Sequence, residues 1–194
     1  MREGLALALK GHVRIYALER PSVTLYERKN VITEGVSWLA ARIFANSLDP
    51  VAGVWGLAVG AGGQGVNGWS PSTQPDPLPT QIAMVSEIKR KQLSQVRFLD
   101  ATEQPTTGLT TLVSFQTILN ATTDAISTPI REMGLIGGGT TLTANGGPTN
   151  MLTAPYFDPT NPVANSVTLI NYITTPSFIL PAAVDMGIDW EIQF

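Results

Sequence analysis

The chain has 194 residues, no cysteine and a formal net charge of −3 at pH 7, so disulfides, cysteine–zinc sites and thiol catalysis are excluded. Hydrophobic residues make up 43% of it, as in a folded domain, but charged residues make up only 14%, about half the usual share. Because a free-standing monomer usually keeps a more charged surface, this composition favours a protein that buries much of its surface against partners or forms part of a stable shell.

The charges are unevenly distributed along the chain. Residues 1–100 hold 11 Lys and Arg against 8 Asp and Glu, whereas residues 101–194 hold a single arginine against 7 acidic residues. We expect the basic and acidic halves to face opposite ways, with one side toward an acidic shell. The run Lys-Arg-Lys at 89–91 is too short for a nucleic-acid site and is interpreted as a solvated face. No apolar run suits a membrane span or a secretory signal. From the short basic run and the lack of such an apolar run, we expect neither nucleic acid nor a membrane as a partner.

The first two predicted elements are strands that form an antiparallel pair. Apolar and polar residues alternate in HVRIYALE (12–19) and in SVTLYERKNVI (22–32), and the segments are rich in β-branched and aromatic residues. This period of two is typical of strands. The intervening ERPS supplies the turn through Pro21 and Ser22.

The period then changes, and the spacing predicts a helix over 34–48. Its apolar residues recur every three or four positions: Val36, Leu39, Ala40, Ile43, Phe44 and Leu48. Thr33 is the expected N-cap, and Asp49-Pro50 is the expected stop. We expect the helix to pack on the sheet through four large side chains: Trp38, Leu39, Ile43 and Phe44.

The rest of the chain reads as short strands separated by turns and loops. VWGLAVG (54–60) is an apolar strand, and the proline-rich segment at about 61–80 is a long extended loop. Further strands are predicted within KQLSQVRFL, GLTTLVSFQTIL, TPIREMGLIGG, NMLTAPYFD, SVTLINYIT and GIDWEIQF. The predicted fold is mainly β: a single domain over 1–194, an antiparallel β-sandwich or open barrel with one embedded helix and long Gly/Pro-rich loops.

The glycines at 60, 62 and 65 match the G-x-G-x-x-G pattern of dinucleotide-binding proteins. That site needs a helix directly after the glycines, because the helix N-terminus binds the phosphates. Here VNGWSPSTQPDPLPT follows, and its prolines exclude a helix. We interpret Gly60, Gly62 and Gly65 as a connection leaving a buried strand, and we expect no cofactor.

Catalytic residues are scarce. His12 is the single histidine, so a zinc pair is excluded and a Ser-His-Asp triad would depend on this one residue. The best acidic cluster is Asp185, Asp189 and Glu191, of which the last two share one face of a strand. Paired carboxylates can work as a glycosidase, but we interpret these acids as the solvated outer face of the last strand. The protein is predicted not to be an enzyme and to hold no metal.

Four tryptophans and several basic or proline residues are candidates for packing or interfaces. Trp38, Trp55 and Trp190 lie in predicted elements, where packing is expected, whereas Trp69 lies in the proline-rich loop and is expected to be exposed or covered by a partner. We expect contacts between subunits through this loop or the N-terminal strands. The candidate interface residues are Trp69, Pro71, Pro75, Pro77, Pro79, Arg14, Arg28 and Lys29.

The order of these elements resembles that of small virion structural proteins of tailed bacteriophages. The segments that carry the resemblance are YERKNVITEGVSWLAARIF, VWGLAVGAGGQG, PLPTQIAMVSEIKRKQLSQVRF, IREMGLIGG and GIDWEIQF. The first is similar to a strand that leads into a helix through Asn-x-Ile/Val-x-x-x-Gly, and the last to a closing Trp-x-Ile-x-Phe strand. The insert at 147–165 and the long proline-rich loop depart from that pattern.

The resemblance implies a non-enzymatic, multi-copy virion protein that is assembled in the host cytoplasm. The function we expect is a capsid decoration or cement protein that stabilises the head by bridging capsomers. Its partners would be the major capsid protein or other virion proteins, and a homotrimer is expected. The alternative is a tail, baseplate or fibre component that serves host attachment or glycan binding, in which Trp69 and the polar loops at 137–150 would contact the receptor.

Overall fold

The computed structural model describes residues 9–44, 53–62, 75–124, 126–138, 152–153 and 167–194. These residues form eleven strands and one helix. The elements are β1 (Lys10–Ala17), β2 (Thr24–Ile32), α1 (Gly35–Phe44), β3 (Val54–Gly60), β4 (Glu87–Gln92), β5 (Gln95–Leu99), β6 (Leu112–Leu119), β7 (Ile130–Gly138), β8 (Leu152–Thr153), β9 (Val167–Leu169), β10 (Asn171–Phe178) and β11 (Met186–Gln193).

All eleven strands belong to one antiparallel sheet. Its order is β5-β6-β11-β1-β2-β10-β7-β3-β4-β8, and β9 pairs with β7 beside the end of β10. The predicted antiparallel pair of the first two strands is present as β1 and β2, with Val13 opposite Arg28. The mainly-β prediction with an antiparallel sheet and a single helix is therefore confirmed for the described residues.

The sheet is curled because β4 and β5, which lie near opposite ends of the strand order, are joined by a short bend in the chain. β4 and β5 lie far apart in the strand order, yet only Leu93 and Ser94 separate them in the chain. The Leu93 amide donates to the Trp55 carbonyl of β3 at 2.9 Å, and the Ser94 amide donates to the Gln116 carbonyl of β6 at 2.8 Å. Backbone hydrogen bonds at this bend thus connect both ends of the order, which gives an open barrel.

The inside of the curled sheet holds the main hydrophobic core. It is built from the inward-facing residues of opposite walls: Val13, Ile15, Leu57, Val59, Phe115, Met133, Leu135, Ile173, Ile188, Trp190 and Ile192. Trp190 is fully buried, as its place in a strand predicts. Burial of aliphatic and aromatic side chains at about 25 cal/mol per Å² of apolar surface is the main force that holds these strands together.

The two halves of the sheet differ on their outer face. The strands β5, β6, β11, β1 and β2 form what we call the one-sided half, whose outer face carries polar side chains. Buried and more exposed residues alternate in β1, whereas the first five residues of β11 are all buried. In β10, β7, β3 and β4, the two-sided half, the outer face is covered as well, and every residue of β7 is buried. A second hydrophobic cluster lies on this outer face: Trp55, Ala58, Ile136, Leu169 and Tyr172, packed with Met84 and Val167.

The strand order corrects the expected separation of charge. β1 comes from the basic half of the sequence, yet it lies between β2 and the C-terminal strand β11. Arg14 of β1 is directly opposite Asp189 of β11. Because the strands of the two halves are interleaved, basic and acidic residues share one surface and do not face opposite ways.

The predicted helix is present as α1, and residues 45–48 of the prediction lie outside the described residues. The Thr33 hydroxyl donates to the Leu169 carbonyl and accepts no hydrogen bond from an α1 amide among the described residues, so it does not cap the helix. Gly35 permits this close approach, because a methyl group there would overlap the same carbonyl oxygen. Leu39 is buried beside Gly137.

The other three side chains expected to pack on the sheet do not do so. Trp38 is 54% exposed, Ile43 is half exposed and Phe44 is 87% exposed. The reason is geometric: α1 has only ten residues and approaches the sheet where β9 meets β7, so one narrow stripe of it reaches the core. The remaining large apolar side chains of α1 therefore stay exposed.

The predicted proline-rich loop is described at residues 61–62 and 75–80. Trp69 and Pro71, and with them the loop residues 63–74, lie outside the described residues, as do most of the polar loop at 137–150 and the greater part of the predicted strand NMLTAPYFD. Residues 75–80 form neither helix nor strand. They lie on the protein itself, since the Pro75 carbonyl accepts a hydrogen bond from the Thr174 hydroxyl at 3.1 Å and the Pro79 carbonyl accepts one from the Glu34 amide at 2.8 Å.

Candidate functional site

The outer face of the one-sided half carries two rows of polar side chains. The strand register places five residues side by side in each row. The first row is Arg97, Ser114, Glu191, His12 and Lys29, and the second is Gln95, Gln116, Asp189, Arg14 and Glu27. Directly opposite side chains in a sheet lie about 5 Å apart at Cβ and interact. The register therefore shows that the outward-facing residues of these strands form one charged surface.

Several charges in these rows are paired. Arg14 Nη2 lies 3.3 Å from Asp189 Oδ2, and His12 Nε2 donates to Glu27 Oε1 at 3.0 Å. Gln116 Nε2 donates to Asp189 Oδ1 at 3.0 Å. Both oxygens of Asp189 therefore accept hydrogen bonds, which favours a role in holding β1, β6 and β11 together.

Tyr16 extends this network on β1. Its hydroxyl accepts a hydrogen bond from Gln116 Nε2 at 2.9 Å, and the Arg14 guanidinium lies 4.9 Å from its ring centroid. Burial, followed by the nearby charge of Asp189, raises the pKa of the Tyr16 hydroxyl. Tyr16 is therefore a neutral hydrogen-bonding partner in this network.

A groove of about 440 Å³ lies over the rows. Its lining is almost entirely polar: His12, Arg14, Thr24, Glu27, Arg97, Leu99, Glu103, Pro105, Ser114, Asp189 and Glu191. Residues 99–105 form one wall. Glu103 lies there with a left-handed backbone (φ 62°), in a turn that Asp100 stabilises by accepting hydrogen bonds from the Thr102 hydroxyl and from the Thr102 and Gln104 amides. These bonds lower the pKa of Asp100.

The predicted acidic cluster is only partly brought together. Asp189 and Glu191 share the groove, but Asp185 lies elsewhere, where it accepts hydrogen bonds from Asn120 Nδ2 at 2.9 Å and from the Ala121 amide at 2.8 Å. The expected solvated face is wrong for Asp189, which is buried, because Arg14 and Gln116 cover it.

Glu191 has a perturbed environment. Partial burial raises its pKa above the ordinary value of 4.5, and the negative charges of Glu103 and Asp189 act in the same direction. The positive charges of His12 and Arg14 oppose them. The protonated form of Glu191 is thus favoured more than that of an exposed glutamate.

The candidate interface residues do not form one surface. Arg14 and Lys29 lie on the outer face of the one-sided half, whereas Arg28 is on the opposite face of β2 and donates to the Thr174 carbonyl at 3.2 Å. Arg28 also lies 3.4 Å from Asp76, between the half-buried Pro77 and the exposed Pro75. Arg28 and these prolines therefore belong to the seam where the loop crosses β2 and β10.

The basic run at 89–91 is not a solvated face, so that prediction is wrong. Lys91 is only 3% exposed and lies 2.6 Å from Asp124, which is fully buried. Arg90 pairs with Glu87 through two hydrogen bonds of 2.5 and 2.7 Å, and Lys89 Nζ donates to the Asp124 carbonyl at 2.7 Å. The sequence gives no local signal for this arrangement, because Asp124 is 33 residues from Lys91.

The glycines of the G-x-G-x-x-G pattern meet a carboxylate of the protein itself. The Gly62 amide donates to Glu132 Oε1 at 3.1 Å, and a methyl group at Gly60 would overlap the same oxygen. Glu132 is fully buried and also accepts hydrogen bonds from the Val85 amide, the Ser86 amide and the Tyr172 hydroxyl, at 3.0, 2.7 and 2.6 Å. The Gly62 amide is therefore already hydrogen-bonded to Glu132. In a dinucleotide-binding site the corresponding amide would be free to bind a phosphate. Gly65 lies outside the described residues.

Exposed apolar side chains form the second feature of interest. Besides Trp38, Ile43 and Phe44 on α1, Val96 and Phe98 of β5 are about half exposed. By contrast, Trp55 is buried and donates from Nε1 to the Gly138 carbonyl at 2.9 Å. The helix α1 begins three residues after β2 ends. Only Ser37 and Arg42 are polar among its ten residues.

Two kinds of site are not found in the described part of the chain. No group of three or more His, Asp or Glu side chains there is placed to hold a metal ion. No helix there is long and apolar enough to span a membrane. In comparisons with known proteins, no protein-family model matches the chain and no curated protein matches it significantly.

Proposed function

We propose that the chain is a non-enzymatic virion structural protein that decorates a phage head and stabilises it by bridging capsomers. The observation that carries the proposal is the exposure of three large apolar side chains on α1: Trp38, Ile43 and Phe44. Large apolar side chains that lie together at the surface of a folded domain mark an interaction site. These side chains would be covered when the protein binds the shell or another copy of itself.

The sequence supports the same proposal. The low share of charged residues suits a protein that buries much of its surface, and five segments resemble small virion proteins of tailed phages. The partners would be the major capsid protein or neighbouring virion proteins. A trimer placed on a local threefold axis of the shell would bring three copies of α1 to equivalent positions.

Immunogold electron microscopy of the phage, with antibody against this chain, tests the location. Gold over the whole head is the expected result, and heads that lack the protein are expected to break more readily on heating. Gold confined to the tail or its tip would contradict the cement proposal.

A variant then tests the role of α1. Trp38→Ser with Phe44→Ser should abolish cosedimentation of the purified protein with heads that lack it, while the melting temperature stays close to that of the wild type, because neither side chain belongs to the core. Leu109→Ser, at a fully exposed loop position, is the matched control and should still bind. Unchanged cosedimentation of the α1 variant would contradict the assigned interface.

The second candidate is a tail, baseplate or fibre component that contacts a receptor. The observation that favours it is the polar groove of the one-sided half, since a recess lined by charged side chains suits a water-soluble ligand. Loss of adsorption by phage that lack the protein, with intact heads, would support this candidate.

A further inference from the structure

We propose that the groove of the one-sided half is a binding site for a neutral saccharide, with Arg97, Ser114 and Glu191 as its floor. These three residues are consecutive in the first cross-strand row, on β5, β6 and β11. The inference is independent of the virion assignment, although a saccharide site would suit the attachment alternative.

The groove contains polar groups that the protein itself leaves without a partner. Arg14, Asp189, His12 and Glu27 pair among themselves, but Arg97, Glu103 and Glu191 form no hydrogen bond or ion pair through their side chains with any residue that the structure describes. Arg97 Nε is enclosed and has no acceptor. A cation and two acids thus line the groove and remain available to a ligand.

Ser114 supplies an independent observation. The residue is only 2% exposed, and it lies in the floor of the groove between Arg97 and Glu191. Its hydroxyl has no hydrogen-bond partner among the described residues. Unlike Arg97 Nε, the Ser114 hydroxyl oxygen is not enclosed by the protein, so it opens into the groove and can both donate to a ligand there and accept from it.

The arrangement of charges selects the class of ligand. The charges that line the groove are of both signs, so a ligand with a full charge would meet like charges whichever sign it carries: Arg97 and Arg14 face a cation, and Glu103, Glu191 and Asp189 face an anion. Sugar hydroxyls carry no charge, and each can donate to a carboxylate and accept from a guanidinium or a serine hydroxyl. Neutral polyols therefore satisfy Arg97, Ser114 and Glu191 at the same time.

The size and lining of the groove set the expected affinity. Its volume of about 440 Å³ falls within the range of small-ligand sites. Only Leu99 and Pro105 are apolar among its lining residues, and no Trp, Tyr or Phe ring is among them for stacking on a sugar ring. We expect dissociation constants of about 1 mM for single sugars, with tighter binding only when several copies engage one surface.

Titration of the ¹⁵N-labelled full chain, followed by amide chemical shifts, tests the proposal. The probes are six neutral sugars (glucose, galactose, mannose, rhamnose, N-acetylglucosamine and N-acetylgalactosamine), with glucosamine and glucuronate as charged counterparts. At least one neutral sugar should shift the amides of β5, β6 and β11 around Ser114 in a saturable way. The charged counterparts should bind at least tenfold more weakly than the matching neutral sugar.

Two variants and a control locate the site. Arg97→Gln and Ser114→Ala should each weaken binding about tenfold, with shifts elsewhere in the spectrum unchanged as evidence of an intact fold. Lys29→Gln removes a charge from the end of the same row, outside the groove, and should bind like the wild type. The proposal is overturned if no neutral sugar shifts these amides, if only a charged counterpart does, or if both groove variants bind as the wild type does.

Discussion

The two halves of the sheet treat their polar residues in opposite ways. In the one-sided half, charged side chains lie in open rows on the outer face, and the pair Arg14–Asp189 keeps contact with solvent through an arginine that is 41% exposed. In the two-sided half, Lys91 and Glu132 are almost or completely buried, as is Asp124, which reaches Lys91 from the loop after β6. The difference arises because both faces of β7 and β3 are covered, so polar residues there must find partners within the protein.

The comparison indicates where the fold depends on single polar residues. A surface ion pair contributes little, because water solvates its members equally well in the unfolded chain. A buried charge that loses its partner has no such replacement. We therefore expect substitutions in the two-sided half to change the free energy of unfolding far more than equivalent substitutions in the groove.

The largest effect is expected at Lys91. Lys91→Met keeps the length of the side chain but leaves the fully buried Asp124 carboxylate without the ammonium that lies 2.6 Å away. The free energy of unfolding should fall by about 4 kcal/mol in urea titrations. Lys29→Met, at an exposed position of β2, is the matched control and should change it by less than about 0.5 kcal/mol.

The double variant sharpens this test. Asp124→Asn in the Lys91→Met background removes the stranded charge, and about 2 kcal/mol of stability should return. Similar free energies of unfolding for the Lys91 and Lys29 variants would show that the buried pair does not stabilise the fold. The proposed difference in stability between the two halves would then be contradicted.

The next largest effect is expected at Glu132. Glu132→Leu fills a similar volume but removes the acceptor for the Gly62 amide and the Tyr172 hydroxyl. The cost should be about 3 kcal/mol, and hydrogen exchange at Gly62 and Ser86 should accelerate. Tyr172→Phe, which loses one of these bonds, should cost about 1 kcal/mol. A Tyr172 variant as unstable as the Glu132 variant would contradict the role given to the carboxylate.

Lys91 also shows what can and cannot be predicted from one sequence. Alternation correctly predicts β1, where buried residues alternate with more exposed ones, and β11 is a strand as predicted although its first five residues are all buried. In β4 the interpretation of the short basic run as a solvated face places Lys91 in water, whereas Lys91 pairs with Asp124 in a loop that follows β6. The error has a physical cause: a buried charge is decided by its partner, and the position of that partner depends on strand order.

The candidate site was predictable to a similar extent. The spacing within β11 places Asp189 and Glu191 on one face, and this is confirmed. Arg97 and Ser114 join them only through the register of β5 with β6 and of β6 with β11, which no local pattern contains. The outward face of α1 was missed because periodicity identifies an apolar helix but does not say how much of it a small sheet can cover.

A smaller effect is expected for the Arg14–Asp189 pair of the one-sided half. Arg14→Gln should lower the free energy of unfolding by about 1 kcal/mol or less, since Gln116 still donates to Asp189. The loss should shrink further in 1 M salt, where charges are screened beyond about 3 Å. The loss at Lys91 should not respond to salt, and equal salt sensitivity at both sites would break the comparison.

The smallest effect is expected for the pH dependence of Glu191. Its pKa in the folded protein lies above 4.5 because of partial burial and of Glu103 and Asp189, while His12 and Arg14 oppose this shift and Arg97 shares the groove. Between 4.5 and the raised value the folded state binds more protons than the unfolded state, so stability falls as the pH rises through that window. Glu191→Gln does not titrate. Relative to the wild type, its melting temperature should therefore gain about 1 °C between pH 4 and pH 7. The gain is small because the side chain is partly solvated, and a relative loss over the same interval would mean that the positive charges around Glu191 outweigh its burial.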